Sequence, residues 1–282
     1  MTIRTGGHNF VGLGLGMRQI SILLVAMSIC LPAFSQSTES DEALLSRAHG
    51  LYDTPFAHSL ISFDCAVKFD WKGHVLDTLG VIPPTATPTI EHLQDIQHRV
   101  FVDRSGAVVS EVPKATDLSG IPHGADLETS FQAIVSSGIN AWLPFAMDEI
   151  LPLKPSKFSF QKVDTGFKVL MNGTNVSATL MLLPDMRIST VISELPQPLH
   201  FTTKFASGPN GFLLQSVKTG AGTGDLDKWD ANFTYTFQDV QGIQLPRTVT
   251  ATQLATGEKW AYSLADCEAI TGVKVEVRAP NQ

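Results

Sequence analysis

From Lys157 to Glu268 the apolar residues recur at every second position between short turns, and this alternation limits the possible folds more than any other feature of the chain. In NFTYTFQDVQGIQLPRTVTA, Asn232 to Ala251, the aromatics Phe233, Tyr235 and Phe237 alternate with Thr234, Thr236 and Gln238. The pattern turns at Gln241-Gly242 and resumes with Ile243, Leu245 and Val249. Successive side chains of an extended chain point to opposite faces, so the three aromatics share one face. Similar runs are broken at Asp164-Thr165-Gly166, Asn172-Gly173, Pro184-Asp185 and Gly208-Pro209-Asn210-Gly211. Short alternating runs between such turns read as antiparallel strands. With the earlier strands they predict one continuous antiparallel sheet of about ten strands, curled by its own twist.

The first half of the chain is more mixed. Between Ser37 and Phe56, Leu44, Leu45, Ala48, Leu51 and Tyr52 form an apolar stripe at helical spacing, with a cap expected near Ser40 and an end at Pro55. From Ile61 to Trp71 the period changes to two, placing Ile61, Phe63, Cys65, Val67, Phe69 and Trp71 inward on a first long strand. Prolines make Val81 to Thr89 a loop, and Ile90 to Val112 reads as two strands meeting at Asp103-Arg104-Ser105-Gly106. Asp126 to Met147 is apolar almost all round, with Leu127, Phe131, Ile134 and Val135 at helical spacing. It predicts a helix buried against the sheet, interrupted at Gly138 or Pro144.

Residues 1–35 read as a leader. Arg18 precedes the apolar run Ile20 to Ile29, and small residues at Ala33 and Ser35 suit cleavage after Ser35. The run is shorter than the roughly 20 residues that span a bilayer. Residues 36–282 are then one β-rich domain, expected in the periplasm or secreted. Two cysteines remain in it, Cys65 and Cys267, near its two ends. In an oxidising compartment they suggest a disulfide tying the first strand to the last, the alternative being two separate buried thiols. Cys267 falls out of step with Trp260, Tyr262 and Leu264, so the bond requires a bulge.

The formal net charge is −7, and removal of Arg4 and Arg18 with the leader makes the domain more acidic still. Without clusters of Lys and Arg, such a chain is a poor partner for nucleic acid or for an anionic membrane surface. No H-E-x-x-H and no Cys/His zinc spacing occurs, and no nucleophile motif such as G-x-S-x-G. Glu91-His92 and His98, six apart on an expected strand, read as solvated positions. Gly224 to Asp230 lacks the glutamate of a calcium loop, and Asp148-Glu149 and Asp64/Asp70 read as exposed carboxylates. No metal, cofactor or enzymatic activity is expected.

The helix leading straight into a long first strand, the buried helix midway, the run of hairpins and the stretch D-V-Q-G-I-Q-L-P, Asp239 to Pro246, together resemble the LolA-like superfamily of periplasmic lipoprotein carriers. The resemblance implies an open half-barrel, one curved sheet whose concave face is stoppered by short helices and takes up acyl chains. Physical reasoning reaches a similar expectation. A face of alternating aromatics must be covered, and one helix with a short insert is little cover for so many strands. The surplus is either packed core or a pocket for an apolar guest. The expected lining is Phe63, Phe69, Trp71, Phe131, Trp142, Phe145, Phe233, Tyr235, Phe237, Trp260 and Tyr262. The expected role is to bind lipid, lipoprotein acyl chains or another hydrophobic ligand. The alternatives are an envelope module that acts through a protein contact and, third, a hydrolase.

Overall fold

A computed structural model of the chain describes residues 39–111, 124–147, 151, 157–172, 177–193, 199–221 and 229–272. The leader expected over residues 1–35, Asp148-Glu149 and most of the Gly224 to Asp230 loop lie outside the described residues. The first helix, α1, Asp41–His49, starts at the expected cap: the Ser40 hydroxyl accepts the Ala43 N–H (3.2 Å), and Asp41 and Glu42 occupy the first turn, where unpaired amides favour negative charge. It ends at Gly50, short of Pro55. With φ already set and no N–H to lose, Pro55 opens a second short helix, α2, Pro55–His58.

Strand β1, Leu60–Phe69, departs from its expected pattern twice. Ile61 is exposed rather than inward, because it is the extra residue of a bulge between the pairs Leu60–Thr271 and Ser62–Ile270. Trp71 does not continue the strand. Asp70 Oδ1 accepts the Gly73 N–H (2.8 Å) and so caps helix α3, Trp71–Leu79, which ends on Gly80 at φ 70°. After a 3₁₀ turn at Pro84–Ala86, helix α4, Thr87–Asp95, occupies part of the stretch expected as strand. A proline in its first turn and the three-residue spacing of buried Ile90 and Leu93 outweigh the alternation there. The expected hairpin is shorter: β2, His98–Asp103, and β3, Gly106–Glu111, with Asp103 Oδ1 accepting the Ser105 N–H in the turn.

Helix α5, Gly124–Ala146, runs unbroken through Gly138 and holds Pro144 within its last turn. A Cβ at Gly138 would lie 2.5 Å from Tyr262 Oη and 3.1 Å from Val249 Cγ1. The absent side chain therefore marks where the helix lies closest to the sheet, not where it breaks.

The remaining strands form a meander: β4, Lys157–Val163; β5, Gly166–Asn172; β6, Ser177–Leu182; β7, Ile188–Ser193; β8, Leu199–Ser207; β9, Phe212–Ala221; β10, Trp229–Val240; β11, Ile243–Gln253; and β12, Lys259–Thr271. Gln241 and Gly242 both take positive φ (57° and 84°), the geometry a tight β10–β11 turn needs. Pairing between these strands is antiparallel, in the order β3-β2-β1-β12-β11-β10-β9-β8-β7-β6-β5-β4, and Tyr52 adds an isolated parallel bridge to Phe212. The result is one open sheet of 12 strands, with β3 and β4 at its edges.

Among the described residues, the seam between β1 and β12 is the only pairing of strands that are not neighbours in chain order. Between the pairs Asp64–Glu268 and Ala66–Ala265, β12 carries one extra residue, Asp266, at φ 47°. This is the bulge that the out-of-step Cys267 required. It brings Cys267 opposite Cys65, with Cα atoms 4.1 Å apart, and the two form a disulfide.

Candidate functional site

The inward side chains of the sheet meet α5, α2 and one another. Phe63 packs its ring edge against Trp142 of α5 (6.1 Å between centroids), and Phe56 of α2 touches both rings. Phe69, Trp71, Phe131 and Trp260 form a second group with centroids 4.6 to 6.1 Å apart, extended by His74 over Trp260. Phe233, Tyr235 and Tyr262 are buried; Phe233 and Tyr262 flank Gly138. Phe145 stands apart with Phe201 and Phe205, and Phe237 is only half-buried at the margin of the core. The sequence thus names aromatics that the fold gathers in four neighbourhoods, with Phe237 outside them.

Hydrogen bonds set how α5 sits. Tyr235 Oη donates to the Gly138 carbonyl (2.8 Å) and Tyr262 Oη to that of Val135 (3.1 Å). Burial pushes both phenols above their ordinary range, so they remain protonated donors. At the sheet edge, Asn140 Oδ1 accepts the Ala107 N–H (3.1 Å), which covers an amide of edge strand β3.

Two groups of functional interest were not legible in the sequence. Tyr52, read only as part of an apolar stripe, donates to the Met186 carbonyl and accepts from the Ile188 amide, both at 2.7 Å, and so ties the N-terminal segment to the β6–β7 turn. His98 is not on a strand shared with His92, which lies in α4. It is buried, and its Nε2 donates to Glu128 Oε1 of α5 at 2.6 Å. Nothing in the spacing of His98 and Glu128 signals this pair. Burial pushes the Glu128 carboxyl up, but hydrogen bonds from His98 and Gln132 outweigh burial and hold it below its ordinary value.

A carboxyl whose folded value is depressed lends stability that is complete above its unfolded value, about 4.3, and that is lost as the pH falls through the lowered value. Thermal unfolding followed from about pH 6 to about pH 3 should therefore show the advantage of the native chain over Glu128→Gln shrinking in that acidic window. An advantage constant across the range would mean that the pair does not titrate with folding.

Beside this pair, an open cleft of about 520 Å³ lies between the end of β1, the start of β2 and the α4 segment. Its walls include Phe69, Trp71 and Leu93, and its rim Lys68, Arg99 and Asp266. No group of three or more His, Cys, Asp or Glu side chains comes together among the described residues. No described helix is long and apolar enough to cross a membrane.

No protein-family model matches the chain, and no curated protein matches it. Among solved structures, a domain from Vibrio parahaemolyticus, provisionally assigned as an outer membrane lipoprotein-sorting protein, aligns with 82% of this chain and 93% of its own length. It is similar at 10% identity and a TM-score of 0.30, too low a likeness to carry any inference about this protein.

Proposed function

We propose that the protein is an extracytoplasmic carrier or binding protein for a hydrophobic ligand, a lipid or the acyl chains of a lipoprotein, taken up between the aromatic face of the sheet and α5. The observation that carries this reading is that one separate helix covers the middle of the aromatic face. Side-chain hydrogen bonds from Tyr235, Tyr262, Asn140 and Glu128 hold it there, rather than any backbone ladder. An apolar chain sliding under α5 would replace the contacts of Phe131 and Trp142, on α5, with Phe63, Phe69 and Trp71 at little loss of buried apolar area. The leader-like residues 1–35 and the Cys65–Cys267 disulfide support a location outside the cytoplasm. The order of helix, first strand, buried helix and hairpins is the one on which the resemblance to LolA-like carriers rests.

The test pins α5 to the sheet edge through an added cysteine pair, Ala107→Cys with Asn140→Cys. Purified native protein should carry acyl chains detectable by native mass spectrometry and lipid extraction, and should take up a fluorescent long-chain fatty acid. The oxidised pinned protein should take up none. Uptake that is equal in pinned and unpinned protein, or a native protein that is reproducibly empty and takes up no probe, overturns the reading.

A second reading, an envelope module acting through a protein contact, is favoured by a different observation. Phe101 of β2 and Val108 of β3 are cross-strand partners, both exposed, with Ile61 and Ile270 also exposed at the β1–β12 seam. An empty protein that binds a specific partner, with loss of that binding in Phe101→Ser/Val108→Ser, would select it.

A further inference from the structure

We infer that the face of the sheet turned away from α5 binds an acidic polysaccharide, a sugar chain with carboxylates set among its hydroxyls, laid across β8, β9, β10 and β11. Strand parity defines this face. Thr203, Val217, Phe233, Tyr235, Val249 and Ala251 are all buried on the aromatic side. The residues that alternate with them therefore project from the opposite side, and pairing sets these in rows. Lys204, Ser216, Thr234 and Thr250 form one row, and Thr202, Lys218, Asn232 and Thr252 the next. An open groove of about 360 Å³ lies along the first row, bordered also by Gln215, Thr236 and Thr248.

The charge of these rows opposes that of the chain, which is −7 overall. They hold two lysines and no carboxylate, and both lysines are exposed. Neither makes an ion pair among the described residues. The β8–β9 hairpin makes Lys204 and Lys218 diagonal neighbours, about 7 to 8 Å apart. Asp230 and Asp239 stand near the two ends of β10, outside the rows. The hydroxyls of Ser216, Thr234 and Thr250 make no side-chain hydrogen bond among the described residues, whereas Thr236 and Thr248 bond each other. Each hydroxyl both donates and accepts. Strands lie about 4.8 Å apart, so a ligand crossing them meets a polar group at every step, a spacing close to one unit of an extended sugar chain. Sugar hydroxyls match these donors and acceptors, and carboxylates match the lysines. The rows offer no aromatic ring for stacking a nucleobase and no dense basic cluster for an anionic bilayer. An open groove also suits a chain held along one side better than a small molecule, which a site normally encloses. This site lies across the sheet from α5 and does not rest on the carrier reading.

The probe is a hyaluronan oligosaccharide, whose carboxylates alternate with neutral sugars, titrated into the purified full chain by calorimetry at low salt. A maltooligosaccharide of equal length supplies the hydroxyls without charge, and an oligoglutamate of equal charge supplies the carboxylates without sugar. Saturable binding is expected for hyaluronan, with binding about tenfold weaker, or none, for each control. Lys204→Gln with Lys218→Gln should weaken hyaluronan binding about tenfold or more and remove most of its dependence on salt. Thr234→Val with Thr250→Val, which keeps the branched shape that strands favour, should weaken it about tenfold and leave the salt dependence in place. Circular dichroism would establish that both double variants fold. The protein with α5 pinned should bind as the native chain does. Absent binding, or binding unchanged in either folded double variant, overturns the inference. Equal binding of oligoglutamate would mark a surface for acidic protein segments and equal binding of the maltooligosaccharide a site indifferent to charge, and either overturns it. Loss of binding on pinning α5 overturns it too. Uptake of the fatty acid is a separate measurement, so this inference and the carrier reading can fail independently.

Discussion

Removing the Cys65–Cys267 cross-link, as Cys65→Ala with Cys267→Ala, should lower the free energy of unfolding by about 4 to 5 kcal/mol on the chain-entropy account of disulfides. The two residues are 202 apart in sequence, so the bond closes a long loop in the unfolded chain. It also lies at the one place where the sheet joins strands that are not consecutive, β1 and β12. Among the described strands every other pairing joins neighbours in chain order, and this one joins the first strand to the last. Denaturant unfolding of the native chain and the double variant, fitted with slope and midpoint, measures the effect. The slope should rise as well as the midpoint fall, since the uncrosslinked unfolded chain exposes more surface. A loss below about 1 kcal/mol would mean that the seam holds without its bond.

Phe131→Ala should cost about 3 to 5 kcal/mol, the usual range for emptying a fully buried phenylalanine site. Phe131 has no exposed surface, and its ring lies 5.0 Å from that of Phe69, 5.5 Å from Trp71 and 4.8 Å from His98. It links the aromatic group of β1, α3 and β12 to the buried His98–Glu128 pair. The void would loosen α5 at its N-terminal half and admit water beside Trp71. Fluorescence from the tryptophans should therefore shift to the red in the folded variant, along with the loss in stability. Phe237→Ala, at a half-buried position outside these ring contacts, should lose markedly less. Equal losses at the two sites would show that α5 is not seated on Phe131.

Strand alternation made the meander legible from Lys157 onward, because each hairpin is a local event with its own turn residues. The Gln241-Gly242 turn and the Ser40 cap are cases where one or two residues decide the backbone. The missed elements lie where two periodicities overlap. Trp71 continues the alternation of β1, yet the carboxylate of Asp70 starts a helix at that point. Ile90 and Leu93 suit a helix, but the stretch Ile90 to Val112 reads in sequence as two strands meeting at the Asp103-Arg104-Ser105-Gly106 turn. Gly138 looked like a break because its use is tertiary, a close approach to Tyr262 that only the folded sheet reveals. The candidate site divides in the same way. The buried aromatics were legible from their parity. The His98–Glu128 pair and the rim of Lys68, Arg99 and Asp266 were not, since residues 30 to more than 160 positions apart meet only through the β1–β12 seam and the seating of α5.

That seam also imposes an order of events on a chain synthesised from its N-terminus. The hairpin of β2 and β3 can form early, but β1 waits, one flank unzipped, until β12 arrives after all the intervening hairpins. During that interval Cys65 is an unpaired thiol at an open sheet margin, able to react with other thiols or to template the wrong strand. The Cys65–Cys267 bond can therefore close only after β12, the last of the strands in chain order, has been made.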